Sequence, residues 1–293
     1  MTDLATAETL DEAPRSRLRD GFARLRRNHA ALAGLIVVPL IVLACVVLPW
    51  ALPFAPNDQD YDSILLPPLT GGHLFGTDEL GRDLLVRILV AGRISLSIAF
   101  AATLIALVIG TAYGAIAGYF GGLVDHVMMR FVDVLYGLPF LIFVMMLTVV
   151  LGRGLQAIFF AIAAVLWLTV AAIARSQALS LKQKEFVEAA RACGMRRGMI
   201  VWRHVVPNAV GPVIVYASLL VPNVILSESL LSYLGLGVQE PQTSWGLLIS
   251  QATDSMETAP WLVIFPSIFL AATLFSLNFV ADGLRDAFDP KDR

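Results

Sequence analysis

At 293 residues, 57% of them hydrophobic and 15% charged, the chain is too apolar for a soluble domain, where about a quarter of residues are charged. Several long apolar runs make it instead an all-α integral membrane protein. The formal net charge of −2, with neither a basic excess nor interleaved aromatics, excludes a nucleic-acid partner.

Residues 1–29 form a tail carrying Arg15, Arg17, Arg19, Arg24, Arg26 and Arg27. A basic amphipathic helix over 15–27 would lie on the membrane and meet anionic lipid. Residues 30–52 are long enough for a first span, and too long for the apolar core of a signal peptide. Residues 53–93 are an extracytoplasmic segment, loop-like where Pro53, Pro56, Pro67, Pro68, Gly71 and Gly72 fall. The phrase FGTDELGRD (75–83) then leads into an amphipathic run to Arg93. Leu80, Leu84, Ile88 and Ala91 share one helical face there, which predicts an interfacial helix. The acids of that phrase lack the spacing of a calcium loop, so no metal site is expected.

Residues 94–281 hold five further spans, at about 94–119, 131–151, 155–174, 208–231 and 259–280. The first of these carries Gly110, Gly114 and Gly118, a small-residue ladder that lets two helix backbones approach closely. Residues 232–258 read as an outer loop carrying a short helix, and 282–293 as a cytoplasmic tail. With six spans both termini are cytoplasmic. Of 21 Lys and Arg residues, only Arg82, Arg87, Arg93 and Arg153 then fall outside, as the positive-inside rule requires.

The densest charge lies in the loop 175–207. Arg175, Lys182, Lys184, Arg191, Arg196, Arg197 and Arg203 are opposed only by Glu185 and Glu188. The run from Lys184 to Cys193 lacks Gly and Pro and predicts a short helix with Val187, Ala190 and Cys193 or Gly194 as its apolar stripe. Gly194 breaks it, a second short helix follows from Arg197 to His204, and Pro207 stands near the start of the next span.

Glu188-Ala189-Ala190, followed by Gly194 and Pro207, resembles the EAA loop of permease subunits in bacterial ATP-binding-cassette importers. The match is incomplete: His204-Val205-Val206-Pro207 stands where that family reads Ile-x-Leu-Pro. The phrases FGTDELGRD, SYLGLGVQEPQTSWG (232–246) and NFVADGLRDAFDP (278–290) resemble the second permease, the C-subunit type, of dipeptide and oligopeptide importers. The resemblance implies the type I importer permease fold and a bacterial plasma-membrane location. It implies a cytoplasmic coupling loop in which Glu185, Glu188, Ala189, Ala190, Arg191, Gly194, Arg197, His204 and Pro207 meet an ATPase. The implied partners are a second homologous permease, two cytoplasmic ATPase subunits and an extracytoplasmic substrate-binding protein. Peptide is the implied cargo; nickel or another small solute is the alternative within the family, and an ATP-independent secondary transporter the alternative outside it.

The chain itself has no Walker A string, no G-x-S-x-G and no H-E-x-x-H, so it is read as a non-enzyme. No cofactor is expected in it; ATP and Mg would be held by the ATPase subunits. Cys45 and Cys193 fall at different membrane levels and have no metal-ligand neighbours, so neither a disulfide nor a metal site is expected. Glu228 and Asn278 are the polar residues left inside spans and are the candidates for the substrate pathway. Glu228 could equally be an interfacial group hydrogen-bonded to a neighbour, and Asn278 could serve to glue helices together.

Overall fold

The computed structural model describes Leu25 and residues 28–288. Except for Leu25, the basic helix expected over 15–27 lies outside the described residues, as does the end of the C-terminal tail. Apart from two isolated β-bridges in the outer segment, the regular structure of the described residues is helical. Four single helices and the continuous helical run Arg197–Ser218 are long and apolar enough to cross a membrane, and a bent pair, counted as one span, brings the number to six.

Helix α1 (His29–Ala51) starts where the Asn28 side chain accepts a hydrogen bond from the Ala31 amide, 3.1 Å away. It packs on the last helix, where Gly34 lets the backbone of Ser276 come so close that a Cβ would lie 2.5 Å from its carbonyl oxygen. Much of its remaining surface, from Leu35 and Ile36 to Trp50, is exposed apolar side chain suited to lipid.

The outer segment folds back over the end of the bundle. Phe54 stacks on His73, and Phe75 stacks on Phe265 of the last helix with ring centroids 4.2 Å apart. Asp83 accepts from the Val86 amide and from His73, and so caps helix α2 (Leu84–Phe120). The sequence reading separates an interfacial helix ending at Arg93 from a span beginning at Ile94; the structure joins them. The single helix of 37 residues is about 55 Å long, well beyond the hydrocarbon thickness of about 30 Å. It runs unbroken through Gly92, where a Cβ would lie 2.5 Å from the Trp245 ring and 2.6 Å from the Cys45 sulfur. Two of the four arginines that fall outside, Arg82 and Arg87, are held by ion pairs. Arg82 and Arg87 both donate to Asp78 at 2.7 Å, and Arg82 also reaches Glu240.

The expected span 131–151 is instead two helices, α3 (Gly122–Tyr136) and α4 (Phe140–Leu151), bent by 88°. Pro139 lies at the bend, where it lacks an amide proton and biases Leu138 away from helical backbone. Helix α5 (Leu155–Leu181) runs against α2 along the glycine ladder, and Arg175 near its end grips Asp125 of α3 with two hydrogen bonds.

Short helices α6 (Glu185–Ala192) and α7 (Arg197–Ile200) form the loop after α5. A π-turn (Val201–Val205) joins α7 to α8 (Val206–Ser218). The expected fifth span is broken at Leu219, after which α9 (Leu220–Tyr233) continues. Pro222 explains the break, since its ring has no amide to bond the Ser218 carbonyl and clashes with it. Helix α10 (Trp245–Gln251) is the short helix expected within 232–258, and α11 (Trp261–Phe288) completes the bundle, running beyond the predicted end at 280.

Candidate functional site

Helix α6 has eight residues, too few to hold its shape alone. Val187 and Ala190 anchor it. Both are buried in an apolar cluster with Ala115 and Tyr119 of α2, Ala178 of α5, and Ile200, Val201 and Val205. Of the predicted stripe, Cys193 is therefore the member that misses the core; it is exposed. Ala190 faces inward as the apolar stripe with Val187 predicts, and so is not available at the docking surface that the resemblance implied for it.

Gly194 closes the helix with φ of +75°, a backbone conformation that costs glycine nothing. The Gly194 amide donates to the Arg191 carbonyl and the Met195 amide to the Ala190 carbonyl, the paired bonds of a Schellman cap. Met195 packs back on the apolar cluster. Beyond α7 the Val206 amide donates to the Val201 carbonyl, five residues back, which makes the turn a π-turn. Pro207 follows directly. It cannot donate to the Arg203 carbonyl and its ring would crowd it in an α-helix, so the widened turn relieves the clash. The Asn208 side-chain amide donates to the next carbonyl, that of His204, at 2.6 Å.

The result is a rigid base with a charged rim. Glu185, Glu188, Ala189, Arg191, Gly194, Arg197 and Pro207 are exposed. Glu188 enters no salt bridge among the described residues. His204 is half-buried, 6.4 Å from the Phe186 ring, with its Nε2 atom enclosed and unbonded. The rim can offer a partner both signs of charge without any loss of internal bonds.

Glu228 lies elsewhere. It is completely buried, so it lines no open wall in this structure. Ser95 of α2 and Ser232 of α9 donate to its two carboxyl oxygens at 2.8 and 2.7 Å, and the Trp245 amide donates to the Ser95 hydroxyl. The group thereby ties α2, α9 and the start of α10. Glu228→Ala would leave the O–H donors of Ser95 and Ser232 without an acceptor, though each oxygen still accepts from a backbone amide, and is expected to destabilise the chain by about 2–3 kcal/mol. Glu228→Gln retains an acceptor and should cost much less. Thermal denaturation of the purified protein checks this, and equal melting of the Ala variant and wild type would refute it. Asn278 is exposed on α11 and donates to the Leu274 carbonyl of its own helix, so it glues no helices within the chain.

A second polar node on the outer face escapes sequence reasoning. Asp78, Arg82, Arg87, Glu240 and Gln251 bond one another across more than 150 positions of chain. Burial would raise the Glu240 carboxyl, but hydrogen bonds from Arg82 and Gln251, with the Arg82 charge, outweigh it and hold the group below its ordinary range. Of the three acids of the 75–83 phrase, Asp78 is thus engaged in ion pairing, Asp83 in helix capping, and Glu79 accepts a hydrogen bond from Ser255.

The described residues form a helical bundle with a basic loop braced on two of its long helices. The fold is shared with a solved methionine ABC transporter, MetNI, at a TM-score of 0.53 and 18% identity, over 70% of this chain and 96% of that one. The family model described as binding-protein-dependent transport system inner membrane component matches residues 110–293, and the N-terminal TM domain of oligopeptide transport permease C matches 16–68. The oligopeptide transport system permease protein OppC of Haemophilus influenzae is 52% identical, over 95% of this chain and 90% of the relative. OppC of Escherichia coli K12 is 52% identical over 98% and 95%, and the dipeptide permease DppC of Bacillus subtilis is 39% identical over 98% and 90%. The chain belongs to the binding-protein-dependent transport system inner membrane component family. It is a permease subunit of the C type, and not an enzyme.

Proposed function

We propose that this permease forms, with a second homologous subunit, the membrane pathway for dipeptides and oligopeptides. Two separate ATPase subunits bind ATP and Mg and drive it from the cytoplasm, and an extracytoplasmic binding protein delivers the cargo. The observation that carries this reading is 52% identity across nearly the whole chain to permeases named for oligopeptide transport. The exposed charged rim of α6, held on a buried apolar base, supports it by providing a surface for an ATPase.

The test is reconstitution of the assembled complex in proteoliposomes with a radiolabelled alanine tripeptide. Uptake should require both ATP and the binding protein. Uptake driven by an ion gradient without ATP would overturn the reading in favour of a secondary transporter, and uptake of nickel but not peptide would overturn the cargo.

The same reading places both termini and the α6 loop on the cytoplasmic side of a bacterial plasma membrane. Cys193, exposed on that loop, and a cysteine placed at the exposed Gln242 of the outer loop are natural probes. In sealed cells a membrane-impermeant maleimide should label position 242 and miss Cys193. The reverse pattern would invert the topology.

A further inference from the structure

We propose that Tyr119 is a positioning residue for energy coupling: it seats helix α6 on the α2–α5 pair, and Arg191 closes on it when α6 moves. This rests on the reading of α6 as the surface that meets the ATPase.

Tyr119 is the penultimate residue of α2 and is 3% exposed. Its ring belongs to the cluster that receives Val187 and Ala190, the two buried residues of α6. Behind the ring, α2 and α5 cannot slide freely. Cβ atoms on Gly114 and Gly118 would lie 2.2 Å from the Ala171 carbonyl oxygen and 2.6 Å from that of Arg175. Displacement of α6 therefore presses on this closely packed pair of helices through the cluster that holds Tyr119, Ala115 and Ala178.

The hydroxyl of Tyr119 is buried and has no hydrogen-bond partner. A phenylalanine would fill the same apolar space without that unpaired group, so packing alone does not call for tyrosine. Arg191 supplies the complementary chemistry. Its guanidinium lies 6.0 Å from the Tyr119 ring centroid, at the outer limit of a cation–π contact. It is exposed, and it enters no salt bridge among the described residues. A small inward shift of α6 would let an Arg191 N–H donate to the hydroxyl oxygen. The joint then has two arrangements, an open one with the cation over the ring and a closed one with the hydrogen bond made. Partner subunits bias the choice by moving α6.

The experiment compares wild type, Tyr119→Phe, Arg191→Gln and the double variant in the full complex, reading peptide transported per ATP hydrolysed. A hydrogen bond to a charged group shifts a two-state equilibrium by about tenfold. Each single variant should therefore lower the transport-to-ATP ratio by up to about tenfold, and the double variant should be no worse than either single. Tyr119→Phe keeps the ring, so a purely structural role predicts a wild-type ratio for it. A wild-type ratio for Tyr119→Phe, or losses that add in the double variant, would overturn the proposal. If the wild-type complex itself shows no ATP-dependent uptake, the functional reading fails instead, and the two failures are told apart by that control.

Discussion

Gly114→Leu is expected to destabilise the chain by about 3 kcal/mol or more, the upper end of what overpacking costs. A side chain at this position meets backbone on the facing helix. Its Cβ would lie 2.2 Å from the Ala171 carbonyl oxygen and 2.7 Å from the Arg175 amide nitrogen, atoms that cannot rotate away. Gly110 faces the Trp167 carbonyl and Val170 in the same way, and Gly118 faces the Arg175 carbonyl, so the contact runs over two turns of α2. Within lipid no hydrophobic force draws helices together, and close packing with small residues supplies the attraction. Forcing α2 and α5 apart forfeits that packing and loosens the floor on which α6 rests. Gly211 of α8 is the matched control, because a Cβ there meets nothing within 4 Å. Gly211→Leu should melt like wild type in the purified chain, whereas Gly114→Leu should melt lower and Gly114→Ala between them. Equal melting of Gly114→Leu and wild type would show that the two helices are not in contact.

The glycine ladder was legible because its spacing of four is a helical period and its residues are small. Helix α6 was legible for a similar reason: charge, an Ala-rich run and a terminating glycine mark its bounds to within a residue, 184–193 expected and Glu185–Ala192 found. Proline effects were harder to place. Pro139 and Pro222 bend or break spans that hydropathy alone draws as straight, and Pro207 yields a π-turn where the sequence suggests an ordinary helix start. Hydropathy also treats Glu228 and Asn278 alike as polar residues in apolar runs. Which is sealed inside and which faces outward depends on helix rotation, and here Glu228 is enclosed by serines while Asn278 is exposed. Tyr119 gave no signal because an aromatic residue at the end of a span reads as membrane packing. Glu240 and Gln251 gave none because their arginine partners lie far away in sequence.

Glu188→Lys and Gly194→Val should each uncouple the importer, by different routes. Glu188 is exposed and makes no salt bridge among the described residues, so its replacement leaves the fold of this chain intact. The effect must then appear in the complex. If an ATPase cation covers the carboxylate and water is excluded, losing one partner of the pair costs about 3–5 kcal/mol, and reversal at least as much. That corresponds to more than about a hundredfold weaker association. If the pair stays wet, the cost falls below about 1 kcal/mol and transport should be nearly normal. Gly194→Val acts on the backbone. The site is spacious, with nothing within 4 Å of a Cβ, so no clash is involved. The cost comes from φ of +75°, which a β-branched residue resists, and from the Schellman cap that this φ permits. Gly194→Asn should be tolerated better, since asparagine visits that region more readily. Both Glu188→Lys and Gly194→Val should insert at wild-type levels, then either lose the ATPase subunits on purification or hydrolyse ATP without moving peptide. Cargo-stimulated transport at wild-type rates by both variants would mean that α6 is not where the ATPase acts.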